Sequence, residues 1–120
     1  MKDVIRQLKK LKAKRVFVQF PEGLKNQKIQ DIAKVLEGKG FDTVLCIEAT
    51  YGGCDVRDVE AKRLQCDVIL HVGHIDFGVK SDIPVVYWEY FLDSDPIPIL
   101  EKEFDKLNGY EKIGLVGSLQ

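Results

Sequence analysis

Hydrophobic positions along the chain recur with two periods, one helical and one alternating. Val4, Ile5, Leu8 and Leu11 stand at helical spacing and predict an amphipathic helix over residues 3–12. The run Arg15–Phe20 (RVFVQF), rich in β-branched and aromatic residues, predicts a strand that Pro21 and Gly23 stop. Ile29, Ile32, Ala33, Val35 and Leu36 mark a second helix, ended by Gly38–Gly40. Asp42–Glu48 (DTVLCIE) is a second strand, and Val56, Val59 and Leu64 line a helix closing near Gln65. Asp67–Val72 (DVILHV) is nearly continuous in apolar residues, the pattern of a strand covered on both faces. Ile83–Phe91 predicts a fourth strand, Ile97–Leu107 a further helix and Lys112–Leu119 a fifth strand.

Strands alternating with helices predict an α/β fold. The expected architecture is a single three-layer domain whose mostly parallel sheet has four to five strands in the order 2-1-3-4. Helices cover both faces, and the topological switch falls between strands 1 and 3. Residues 1–110 would form this domain, and 111–120 a terminal strand or the start of the next one. A strand signal with no helix after it makes the chain look cut at a domain boundary.

Composition narrows the function classes. A chain of 120 residues suffices for one hydrophobic core, and 45% hydrophobic with 31% charged residues describes a globular protein rather than a disordered one. A net charge of −1 lacks the electrostatic footprint of a nucleic-acid binder, and the basic run Lys9–Arg15 reads as a solvated helix face. No apolar run approaches a membrane span and no signal-peptide pattern opens the chain, so a cytoplasmic location with no membrane partner is expected. The three cysteines, Cys46, Cys54 and Cys66, form no C-x-x-C pair, which argues against a disulfide framework and a self-contained zinc site.

Ligands of parallel α/β sheets bind beyond the carboxyl ends of the strands. Strand 1 ends in Pro21-Glu22-Gly23-Leu24, strand 2 leads through Glu48 into Tyr51-Gly52-Gly53-Cys54-Asp55, and strand 3 ends in His71-Val72-Gly73-His74. The topology brings these segments to one edge. Cys54 is expected just before a helix with Asp55 as N-cap and Asp58 completing an approximate capping box, where the helix dipole favours a thiolate. Gly52 and Gly53 are expected to supply unusual backbone angles and to let a bulky group approach. An ordinary turn with a small buried cysteine explains the same spacing. Cys46 and Cys66 read as structural. His71 reads as a core histidine and His74 as the site residue, with a Cys-His-His metal site a weak possibility. Glu22 is placed either to contact a ligand's amine or hydroxyl or to cap the second helix. Tyr87, Trp88 and Tyr90 read as packing residues.

Taken in order, VQFPEGL (Val18–Leu24), YGGCD (Tyr51–Asp55) and CDVILHVGH (Cys66–His74) resemble the N-terminal domain of the diphthamide-synthesis 3-amino-3-carboxypropyl transferases of archaeal type. The similarity runs from about Arg15 to the end of the chain, and Ile113–Gln120 resembles the opening strand of that family's second domain. The resemblance implies an enzyme of three similar α/β domains, each giving one cysteine to a 4Fe–4S cluster. With S-adenosylmethionine as co-substrate, such an enzyme makes a 3-amino-3-carboxypropyl radical that adds to a histidine of translation elongation factor 2. It also implies a homodimer and an electron donor. Cys54 matches the first-domain cysteine and is thereby a cluster ligand; Glu22, Gly23, Gly52, Gly53, Asp55 and His74 are expected around the cofactors. The cysteines of the other two domains are absent from these 120 residues, so the chain alone is expected to hold no stable cluster and to be inactive. The alternatives are a non-catalytic single-domain module that binds a ligand or partner, and an iron–sulfur domain like that of quinolinate synthase.

Overall fold

The computed structural model describes residues 1–25, 27–91 and 95–116, without the side chains of residues 27 and 28. Its elements run α1 (Lys2–Lys10), β1 (Arg15–Gln19), a 3₁₀ turn (Glu22–Leu24), α2 (Gln27–Glu37), β2 (Asp42–Leu45) and α3 (Asp58–Arg63). They continue with β3 (Val68–Val72), β4 (Val85–Trp88), α4 (Ile97–Glu103) and a second 3₁₀ turn (Phe104–Leu107). The four strands form one parallel sheet in the order β2-β1-β3-β4, as the alternating pattern implied.

Alternation along each strand divides the side chains between two faces. On one face Val16, Val18 and Phe20 join Val68, Leu70, Val72 and Val86, covered by Val4 and Leu8 of α1 and Ile32 and Leu36 of α2. On the other, Phe17, Cys46 and Ile69 pack with Cys66 and with Ala61 of α3. Helices therefore lie on both faces. Every residue of β3 is buried, which accounts for its unbroken apolar run.

Three helices hand the chain to a strand by the same device. Each ends in a residue with positive φ: Lys12 at 55°, Gly40 at 88° and Gln65 at 57°. The next amide reaches back five residues, from Ala13 to the Leu8 carbonyl, Phe41 to Leu36 and Cys66 to Ala61. These bonds satisfy carbonyls that the helix end leaves open. Gly40 takes the left-handed conformation without penalty, whereas Lys12 and Gln65 carry a Cβ into it. At the same edge the Asp67 carboxylate accepts the amides of Lys14 at 2.7 Å and Arg15 at 2.8 Å, locking the start of β1 to the start of β3.

Several expectations are corrected. The helix expected directly after Cys54 starts at Asp58 with Arg57 as N-cap, so Asp55 caps nothing and the capping box does not form. β4 spans Val85–Trp88 rather than Ile83–Phe91, following Pro84, which has no amide to give the ladder. The expected helix over Ile97–Leu107 is divided into α4 and the second 3₁₀ turn, and neither buries a residue. Residues 112–116 of the expected fifth strand are irregular and exposed; the remainder of that strand lies outside the described residues.

Candidate functional site

The three segments singled out in the sequence meet at the carboxyl edge of the sheet. After β1 the chain turns through Pro21, and Leu24 at the end of the 3₁₀ turn drops into the core. Gly73, at the end of β3, has φ +82°, and a Cβ there would lie 2.9 Å from Cγ of Pro21. The PEGL and HVGH segments are thus in contact across the switch point between β1 and β3, and Gly73 is required both by its backbone angle and by the Pro21 ring.

Gly53 is constrained differently from expectation. Neither Gly52 nor Gly53 has a positive φ. A Cβ on Gly53 would instead fall 2.2 Å from the carbonyl oxygen of Ile75 and 2.6 Å from the Phe77 ring. The close approach is made by this chain's own 75–77 segment, so Gly53 is needed for packing of loop on loop. A Cβ on Gly52 would make an ordinary contact with the Cys54 thiol, at 3.6 Å.

Under these loops lies a polar row. Gln19, His71 and Tyr87 are in register on β1, β3 and β4, all on the face of Phe17, Ile69 and Val85. Gln19 is fully buried, and both ends of its amide are used. Its Nε2 donates to the carbonyl of Asp55 at 2.7 Å, and its Oε1 accepts the amide of Arg57 at 3.2 Å. The Tyr87 hydroxyl donates to the carbonyl of Gly53 at 3.2 Å. Asp55, freed from capping, accepts the Tyr51 amide on its carboxylate at 3.3 Å, while its own amide donates to Gly52 at 3.0 Å.

His71, also fully buried, stacks on the Tyr87 ring with centroids 5.2 Å apart, and its Nε2 lies 2.9 Å from Nδ1 of His74. Its own Nδ1 is buried without a partner. An unpaired acceptor costs less than an unpaired donor, so the network assigns the shared proton to His71 Nε2, donated to His74 Nδ1. Burial first, and the His74 ring second, push the His71 pKa down to about 4, against a smaller opposite pull from the Asp55 carboxylate. Burial also lowers that of His74. Both rings are neutral near pH 7. His74, half-buried, therefore offers a ligand its Nε2 alone, because Nδ1 is engaged.

The second strand's exit is held from the other side. Lys25 pairs with Glu22 and donates to the carbonyls of Ile47 at 2.9 Å and Glu48 at 2.7 Å. Glu22 is exposed within its 3₁₀ turn and shares its charge with this lysine, and Gly23 beside it has open space where a Cβ would stand. Sequence reasoning passed over Gln19 and Lys25. A lone amide side chain between Val16-Phe17-Val18 and Phe20 was the available signal for Gln19.

Among the cysteines, Cys54 alone is exposed. Burial pushes the thiols of Cys46 and Cys66 up, and each faces a backbone carbonyl at 3.9 Å, in keeping with structural roles. α3 begins four residues beyond Cys54 and is six residues long, so a helix end is not what distinguishes this thiol. Among the described residues no group of three or more His, Cys, Asp or Glu side chains is arranged to hold a metal ion. Thiolates are the usual donors to iron–sulfur clusters, and Cys54 is the one exposed thiol of the three, which is fewer than a complete ligand set.

Residues 20–120 match a family model described as "Putative diphthamide synthesis protein". The chain belongs to this diphthamide synthesis family. It is 30% identical over 105 residues to the 2-(3-amino-3-carboxypropyl)histidine synthase of Pyrococcus horikoshii, covering 88% of this chain and 30% of that protein. It is 33% identical over 117 residues to subunit 1 of the corresponding synthase of Nematostella vectensis, covering 94% of this chain and 25% of that protein. Among solved structures, Dph2 from Pyrococcus horikoshii with a 4Fe–4S cluster superposes with a TM-score of 0.81 at 30% identity, over 88% of this chain and 31% of that one. The chain thus spans between a quarter and a third of the length of these relatives. The family assignment agrees with the resemblance carried by PEGL, YGGCD and HVGH, and the domain built on the parallel 2-1-3-4 sheet superposes on this solved structure of the family.

Proposed function

We propose that this chain is the first α/β domain of an enzyme that transfers a 3-amino-3-carboxypropyl group from S-adenosylmethionine to a histidine of translation elongation factor 2, the first step of diphthamide synthesis. Cys54 is its contribution to a 4Fe–4S cluster. The observation that carries this reading is the exposed thiol of Cys54, on a loop held at the carboxyl edge of the sheet by Gln19, Tyr87 and the segment after HVGH, in a family whose solved relative contains such a cluster. Such a cluster, when bound, supplies the electron that cleaves S-adenosylmethionine to the 3-amino-3-carboxypropyl radical.

The chain's own part is to present one thiolate on a fixed loop and to shape one wall of the cofactor pocket. Glu22, Gly23, Gly52, Asp55 and His74 line that wall, His74 through its Nε2 proton, while Gly53, covered by Ile75 and Phe77, seats the loop rather than the cofactor. The remaining thiolates belong to other domains, because Cys46 and Cys66 are buried. The whole enzyme is a cytoplasmic homodimer that draws electrons from a separate donor, and these 120 residues alone hold no stable cluster and do not catalyse the transfer.

The test is Cys54→Ala in the full-length enzyme, prepared anaerobically. The expected result is loss of the cluster's visible absorption and of its reduced-state paramagnetic signal, with transfer to the elongation factor abolished. A variant that keeps a full cluster removes Cys54 from the ligand set. A stoichiometric, Cys54-dependent cluster reconstituted on the 120-residue chain overturns the claim that further domains are required.

A further inference from the structure

The residues on either side of Cys54 both have their carbonyls held from beneath by the polar row. Tyr87 holds that of Gly53 at 3.2 Å and Gln19 that of Asp55 at 2.7 Å. Gln19 also receives the Arg57 amide at 3.2 Å, so the loop is gripped at three points, one before the thiol-bearing residue and two after it. From above, Ile75 and Phe77 lie against Gly53. One layer below, the same face carries Phe17, Ile69 and Val85, which make no such bonds. Apart from the Arg15–Asp42 pair at the opposite, amino edge, the polar character of this face is confined to the layer under the loop.

We propose that Gln19 and Tyr87 are positioning residues for Cys54, fixing the direction of its thiol by clamping the peptide unit that enters it from Gly53 and the backbone just beyond it, from the Asp55 carbonyl to the Arg57 amide. This rests on the reading of Cys54 as a cluster ligand for its spectroscopic consequence; the ordering of the loop does not. A buried amide with both ends engaged cannot turn without stranding the Asp55 carbonyl and the Arg57 amide. His71 supports the arrangement by stacking on the Tyr87 ring and tying down His74, the residue just ahead of the segment that covers Gly53. The orientation and hydrogen bonding of a coordinating thiolate set the electronic properties of its cluster, so groups that fix the loop act on the metal through Cys54.

The variants are Tyr87→Phe, which removes one hydroxyl and keeps the stacked ring, and Gln19→Leu. Ile69→Val is the control, since it weakens packing on the same face without touching the loop. In the 120-residue chain, hydrogen exchange across residues 51–57 and the alkylation rate of Cys54 by iodoacetamide are measured. Both are expected to rise on the order of tenfold in Tyr87→Phe, the factor for losing one hydrogen bond, and further in Gln19→Leu, which loses two, with the amides of β1 and β3 unchanged. In the full-length enzyme, the reduced cluster's paramagnetic spectrum and midpoint potential are expected to shift in both variants and not in Ile69→Val.

Wild-type exchange and alkylation in Tyr87→Phe overturn the proposal, and this variant carries the test alone if Gln19→Leu does not fold. Loosened loops with an unaltered spectrum and potential overturn the link from loop to cluster. Retention of the cluster in Cys54→Ala defeats the underlying reading instead, while the exchange result still reports on the clamp.

Discussion

The two faces of the sheet differ most at its carboxyl edge. On one face the apolar side chains continue to the end of the strands and past it, through Val18, Phe20, Val72 and Leu24. On the other, apolar packing stops at Phe17, Ile69 and Val85, and the next layer is Gln19, His71 and Tyr87. One face is devoted to cohesion along its whole length. The other gives up its last layer to hold loops, and Cys54 stands on those loops. Cohesion and chemistry are thus separated by face, within strands only four or five residues long.

The largest break of this contrast comes from the cohesive face. Phe20→Ala empties a fully buried ring position and is expected to cost about 4 kcal/mol, read as a shift of the denaturant midpoint, with Cys54 alkylation in the folded fraction unchanged. The polar layer should instead respond to acid. Unfolded, a histidine takes up its proton near pH 6.5; folded, His71 does so at about 4. As pH falls through that window the unfolded state gains protons first, so stability is lost progressively, by about 3 kcal/mol, and the loss levels off below the folded value. In a His71→Phe variant this part of the pH dependence should vanish, whereas Phe20→Ala should keep it. The smallest effect belongs to neither face. Lys62 and Asp82 pair at 2.7 Å on the open surface, and Lys62→Ala should leave the unfolding midpoint within error.

Much of the fold was legible in the sequence because apolar periodicity is a local signal. β1, α2 and β3 could be placed from it, and the two-faced burial of β3 follows from VILHV alone. The motif-bearing loops were legible as locations, since the ends of parallel strands gather at one edge. What could not be read is how those loops are held. Asp55 and Asp58 have the spacing of a capping box, but Gln19, distant in sequence, takes the Asp55 carbonyl and the Arg57 amide and delays the helix to Asp58. Gly53 suggested a special backbone angle, and its real reason is the Ile75 carbonyl more than twenty residues on. His71 and His74 had to be ranked against each other as single residues, whereas the structure joins them in one hydrogen bond. Each miss is a long-range contact replacing a local preference.

The left-handed turns at Lys12, Gly40 and Gln65 carry a consequence for how such a domain can change. The chain enters three strands by one repeated backbone hinge and leaves them by three unrelated exits. Entry is a shared grammar that fixes register without reference to any ligand. Exit is vocabulary, free to be rewritten one loop at a time. Substitutions that alter the chemistry can therefore accumulate beyond the strands while the hinges before them keep the sheet in place.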